Sequence, residues 1–114
     1  MTDCIFCRIA RGDLPSTRVL ETDQVVAFRD LNPQAPVHVL VIPRAHLDSV
    51  ATLGPDHREL AGALLHAAGE VARREGIEGS GYRVVANHGE EGGQTVGHLH
   101  LHVLGGRAMT WPPG

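Results

Sequence analysis

His98-Leu99-His100-Leu101-His102-Val103-Leu104 is the stretch that decides how this chain is read. Imidazoles alternate with aliphatic side chains at a spacing of two, the period of a half-buried β-strand. A strand over 98–104 puts His98, His100 and His102 on one face and Leu99, Leu101 and Val103 against a core. A row of imidazoles packs poorly, but it gathers nucleophiles and proton carriers that work near neutral pH. A solvated strand face and a metal site are the plainer readings. Alternate residues stand roughly 6.6 Å apart along a strand and the outer pair roughly 13 Å, so one ion with ~2 Å bonds cannot hold all three. At most one or two serve as ligands, which leaves the central His100 for chemistry.

Just upstream, Asn87-His88-Gly89-Glu90-Glu91-Gly92-Gly93-Gln94-Thr95-Val96-Gly97 is a glycine-rich loop. Its glycines let backbone N–H groups approach an anion. It lacks the Gly-Lys-Ser/Thr of a P-loop. Beside the histidine row it points to a phosphate held next to imidazoles, and the matching chemistry is attack of imidazole on phosphorus.

Further out, the pattern predicts a short helix over residues 4–11, ended near Gly12 and Pro15. Strands are expected at 19–21, 24–29, 37–43 and 82–86. Asn32-Pro33-Gln34-Ala35-Pro36 reads as an irregular loop. One long helix opens at Pro55 and runs to about Glu75, with Leu60, Leu64, Ala67, Ala68 and Val71 as its apolar stripe. His57 and His66 are expected on its exposed surface. The expected fold is α+β: a five-stranded antiparallel sheet with one long and one short N-terminal helix. One helix cannot cover both faces and edges of such a sheet, so a homodimer that extends it is expected.

The chain has 114 residues, enough for one domain over residues 1–114. A net charge of -3 and a pI near 6.2 argue against bulk binding of nucleic acid or an acidic membrane. No apolar run approaches a membrane span, and Met1-Thr2-Asp3-Cys4 has no leader character, so the cytosol is the expected compartment. There, Cys4-Ile5-Phe6-Cys7 is more naturally a metal or redox pair than a structural disulfide.

Gly93–Leu104 as a whole resembles the signature of the histidine triad (HIT) family, His-φ-His-φ-His-φ-φ with φ apolar. Asp30–His38 and Val41–His46 resemble the family's segments around its third strand. Gly105-Gly106-Arg107 and Trp111-Pro112-Pro113-Gly114 are similar to the Hint branch, the histidine triad nucleotide-binding proteins. The resemblance implies a hydrolase of nucleoside 5′-phosphoramidates or related nucleotide esters, with purine nucleotides as ligands and no organic cofactor. By resemblance, His100 is the nucleophile on the α-phosphorus and forms a nucleotidyl-histidine that water hydrolyses. His102 and His38 match phosphate-contacting positions. Asp30 matches the carboxylate that accepts the ribose hydroxyls. Phe28, Leu31 and Leu40 match the apolar walls, whose plainer reading is simple core. Asn87, Gly93, Gln94, Thr95 and Val96 match the phosphate-side loop. Thr95 stands where many Hint proteins have Ser, which leaves leaving-group preference open. The terminal tail around Trp111 matches one that crosses a dimer toward the other subunit's nucleotide site.

The resemblance also groups Cys4, Cys7, His46 and His98 as a tetrahedral zinc set. The first histidine of the row is then structural. The alternative is two reduced cysteines packing a short helix without metal. Two other functions stay open: a dinucleoside polyphosphate hydrolase, and a nucleotide-binding regulatory protein whose hydrolysis is incidental.

Overall fold

The computed structural model describes residues 4–114; Met1–Asp3, read above for a leader, lie outside it. Helix α1 spans Ile5–Arg11. Cys4 caps it, its Sγ accepting the Cys7 N–H, and Gly12 ends it at φ +87°, where a side chain would be strained. Strands β1 (Arg18–Glu21), β2 (Val25–Arg29) and β3 (Val37–Pro43) follow. A long helix, α2, spans Arg58–Arg74, and β4 (Tyr82–Val85) and β5 (Leu101–Gly105) complete the sheet. The sheet is antiparallel throughout, in the order β1-β2-β3-β5-β4.

β2 and β3 are apolar almost without a break because the sheet is covered on both faces. Val25, Ala27, Val39, Val41, Leu99, Leu101 and Val103 pack with Leu64, Ala67, Ala68 and Val71 of α2. Val26, Phe28, Leu40 and Ile42 point the other way, onto Phe6, Ile9 and Ala10 of α1. Burying one Leu or Val of this kind stabilises the fold by about 1.5–3 kcal/mol. The second cover is short. Seven residues of helix reach only about 10 Å, so the part of this face that carries His38 and His102 is not roofed by α1.

Two elements differ from the sequence reading. Pro55–His57 is a separate 3₁₀ turn, and α2 starts after it. His57 is half-buried there, and its Nδ1 accepts the Gly54 N–H at 2.9 Å; His66 is exposed as expected. The last strand starts at Leu101 rather than His98. Its ladder with β3 runs from Val37↔Gly105 to Val41↔Leu101. Pro43, next in register opposite Leu99, has no N–H to give, and Leu99 instead donates to the Leu47 carbonyl at 2.6 Å. The alternation survives this departure: Leu99 faces the α2 core, while His98 and His100 are buried against Phe6 on the α1 side.

After β5, Gly106 has φ +90°, and a Cβ there would lie 2.8 Å from the Pro36 ring. This close approach seats the loop after β2 against the end of β5. Among the described residues, no helix is long and apolar enough to cross a membrane.

β1 and β4 are the sheet edges. β4 exposes Tyr82 and Val84, and Trp111 is 80% exposed, with the Arg83 guanidinium over its ring. Apolar groups on an open edge are what a second copy would cover. If β4 is that contact, sedimentation equilibrium at micromolar concentration gives the mass of two chains, and Val84→Lys shifts it toward one. A wild-type monomer would remove the dimer from the description.

Candidate functional site

The unroofed part of the α1 face is a cavity of about 510 Å³. Ile5, Phe6, Ile9, Phe28 and Leu40 form its apolar wall, and Asp30, His38, Thr95, His100 and His102 its polar end. Val96 lines it too, and Leu31, almost wholly exposed, stands at its rim. An apolar slot beside convergent polar groups is the usual form of a small-molecule site.

Hydrogen bonds determine where the histidine protons sit. His100 Nδ1 lies 2.7 Å from the His98 carbonyl oxygen. A carbonyl only accepts, so Nδ1 carries the proton, and the neutral ring keeps its lone pair on Nε2. The Phe6 ring meets His100 edge-on at 5.2 Å and limits its tilt. The backbone N–H of Gln34 donates to His38 Nδ1 at 3.0 Å, so the His38 proton sits on Nε2. That proton points to His102 Nδ1 at 2.9 Å, and the Asp30 carboxylate lies 3.4 Å from His38 Nε2 as well. His102 Nδ1 accepts, and its own proton is therefore on Nε2, a buried donor with no partner among the described residues.

Burial, reinforced by the neighbouring His100 and His38, pushes His102 from 6.5 down to about 4. Burial also lowers His38, against the opposing pull of Asp30. Both rings are thus held neutral, the state the tautomer chain requires.

A second cluster lies behind the first. Cys4, Cys7, His46 and His98 bring one ligand atom each within 4.8 Å of one another. Cys4 Sγ is 3.3 Å from His98 Nδ1, and Cys7 Sγ is 3.3 Å from His46 Nδ1 and 3.6 Å from His98 Nδ1. A tetrahedral zinc ion separates sulfur and nitrogen ligands by about 3.6 Å. Both imidazoles also have the right tautomer. His98 Nε2–H donates to the Pro43 carbonyl at 2.9 Å, and His46 Nε2 lies 3.3 Å from the Asp48 carboxylate. Each Nδ1 is left as a lone pair aimed at the sulfurs, with its outer nitrogen anchored as metal-bound histidines are. Burial, then the adjacent Cys4, raises the Cys7 thiol pKa, a cost that a dication would offset. The residues therefore fit zinc.

Asp30, His38 and His102 are comparably close but do not fit a metal. The Gln34 N–H occupies His38 Nδ1, so the nitrogen that would face an ion holds a proton.

Of the residues expected from the sequence, His38, His100, His102, Thr95 and Val96 line the cavity together, and His46 and His98 meet at the cysteines. Asn87, Gly93 and Gln94 do not line the cavity. The Gln94 amide instead braces its loop, donating to the Asp48 and Val96 carbonyls and accepting from the Gly89 N–H. His88, exposed, bonds Ser49 Oγ at 2.8 Å. The reading missed the role of Ile5, Phe6 and Ile9, although their spacing marks one helical face. It also missed the backbone of Gln34, which no side-chain pattern reveals, and Ser16, whose buried hydroxyl has no partner among the described residues and lies at the cavity.

The model of the HIT domain matches residues 11–109. A 14 kDa zinc-binding protein of Zea mays is 51% identical over 112 residues, covering 96% of this chain and 87% of its own. A like-named protein of Brassica juncea is 46% identical, covering 98% of this chain and all of its own. The crystal structure of a HIT family hydrolase from Legionella pneumophila superimposes with a TM-score of 0.96 at 48% identity, over 98% of this chain and 100% of that one. A family model that spans nearly the whole chain, with relatives this similar end to end, places it: the protein belongs to the HIT domain family.

Proposed function

We propose that this protein hydrolyses nucleoside 5′-phosphoramidates, or related nucleotide esters, through a nucleotidyl intermediate on His100. The observation that carries this reading is the His100 tautomer: Nδ1–H tied to the His98 carbonyl, Nε2 a free lone pair at the polar end of an apolar slot. The HIT family hydrolase of similar structure supports the reaction class.

The nucleoside lies against Phe6, Phe28 and Leu40, with Asp30 accepting from the ribose hydroxyls. His100 Nε2 attacks the α-phosphorus, and the phosphorus–nitrogen bond breaks. The leaving nitrogen takes up one proton and departs as the amine. Water then attacks the nucleotidyl-His100, releases a proton and yields the nucleoside monophosphate. The orphaned His102 Nε2–H donates to a phosphoryl oxygen as charge develops there. His38 holds that donor's tautomer, and Gln34 holds the tautomer of His38. Thr95 places its hydroxyl beside the leaving group.

Cys4, Cys7, His46 and His98 hold a zinc ion, which supplies structural cross-linking and no step of the reaction. The zinc-binding name of the Zea mays relative supports this assignment.

His100→Ala is expected to lower kcat on an adenosine phosphoramidate by about 1,000-fold or more while AMP binding changes little. Amine release at near-normal rate by the purified variant refutes the nucleophile. Faster turnover of a diadenosine polyphosphate than of the phosphoramidate would move the substrate assignment. Metal analysis should find about one zinc per chain, and Cys7→Ser should lose it along with about 2–4 kcal/mol of stability. A metal-free wild type after zinc exposure overturns the site.

Stability should also depend on pH. Unfolded, His102 titrates near 6.5; folded, it titrates at about 4. Between those values the unfolded chain binds more protons, so its contribution is complete above about pH 6.5 and is lost as the pH falls toward 4. Urea midpoints should fall from pH 7 to pH 5, and His102→Gln should flatten that slope. Equal slopes for the two proteins would contradict the buried neutral ring.

A further inference from the structure

The Cys4–Cys7 pair stands at the foot of the cavity wall. Cys4 caps α1, and its sulfur accepts the Cys7 N–H at 3.5 Å, with the two sulfurs within 4.8 Å of each other. Both cysteines are free and neither is fully buried. A Cys-X-X-Cys at a helix start is an arrangement in which cysteines form reversible disulfides. Closing the sulfurs to the ~2 Å of an S–S bond needs side-chain rotation and a small settling of the first turn.

What lies between the two cysteines makes such a bond consequential. Ile5 and Phe6 both line the cavity. The Phe6 ring contacts Phe28 at 5.5 Å, His98 at 5.9 Å and His100 at 5.2 Å between centroids. His98 is fully buried, and its carbonyl holds the His100 proton. One short turn of helix therefore joins the sulfur pair to the base-side wall and to the orientation of the nucleophile.

We propose that Cys4 and Cys7 form a peroxide-sensitive dithiol whose oxidation expels the metal and weakens nucleotide binding. One thiolate attacks a peroxide oxygen and breaks the O–O bond, forming a sulfenic acid and leaving hydroxide. The second thiolate displaces hydroxide from that sulfenic sulfur and forms the disulfide. With two protons taken up the products are two waters; two electrons pass from sulfur to peroxide. A disulfide sulfur is a poor zinc ligand, and two imidazoles alone do not retain the ion. With the ion gone, α1 is no longer tied to His46 and His98, and the Phe6 wall loosens. The proposal rests on the zinc and nucleotide assignments above.

The test uses the zinc-loaded, full-length protein and hydrogen peroxide, with zinc content and AMP affinity measured first. Expected are a loss of two hydrogens in the peptide holding Cys4 and Cys7, zinc captured by a chromophoric chelator, and AMP affinity lowered about tenfold. Dithiothreitol with added zinc restores both. The Cys4→Ser, Cys7→Ser double variant, whatever its own affinity, shows no further change with peroxide. Retention of zinc and of AMP affinity under peroxide overturns this proposal alone, as does irreversible addition of oxygen to either cysteine. A starting protein that takes up no zinc, or no AMP, refutes the corresponding assignment instead, and the proposal falls with it.

Discussion

His98 is the residue on which the site depends, because it bonds in three directions at once. Its Nε2–H donates to the Pro43 carbonyl, its Nδ1 faces the two cysteines, and its backbone carbonyl takes the His100 proton. The first bond ties the end of β3 to the segment before β5. The second ties that segment to α1. The third sets which nitrogen of His100 is available. A fully buried imidazole with an unused nitrogen would carry a desolvation cost; here each polar atom of the ring faces a partner.

The two clusters show how the same residue types acquire different uses. Both contain two histidines with short contacts to potential metal ligands. In one, the outer nitrogens are donors to a carbonyl and a carboxylate, so the inner nitrogens are lone pairs. In the other, the outer nitrogen of His38 accepts a backbone N–H, so its inner nitrogen is a proton donor. The first arrangement suits a cation and the second an anion. Second partners, rather than ligand spacing, separate a cluster suited to a cation from one suited to an anion here.

The cavity follows from a mismatch of lengths. A sheet covered on one side by a helix of 17 residues and on the other by one of seven leaves part of a face without a lid. His38 and His102 occupy that face because β3 and β5 pair with Leu40 opposite His102 and His38 opposite Leu104. A one-residue slip would turn the histidines into the α2 core.

Much of this was legible in the chain. The alternation over 98–104 identifies the imidazole face and its apolar back, because side chains on an extended backbone point to opposite sides whether or not the ladder is complete. The stripe from Leu60 to Val71 identifies the long helix by the same logic at helical period. Chain-wide motif resemblance identified the family. The start of β5 was not legible, since it depends on a proline in another strand failing to donate. Nor was the division of labour in the glycine-rich loop, in which Gln94 braces and Thr95 faces the cavity, because the bond from Gln94 to the Asp48 carbonyl is made across the fold. The proton positions belong to tertiary structure alone: which nitrogen of a histidine holds its proton depends on the group it meets, and for His38, His98 and His100 those groups are backbone atoms of Gln34, Pro43 and His98, whose residue types say nothing about where their carbonyls and N–H groups will lie.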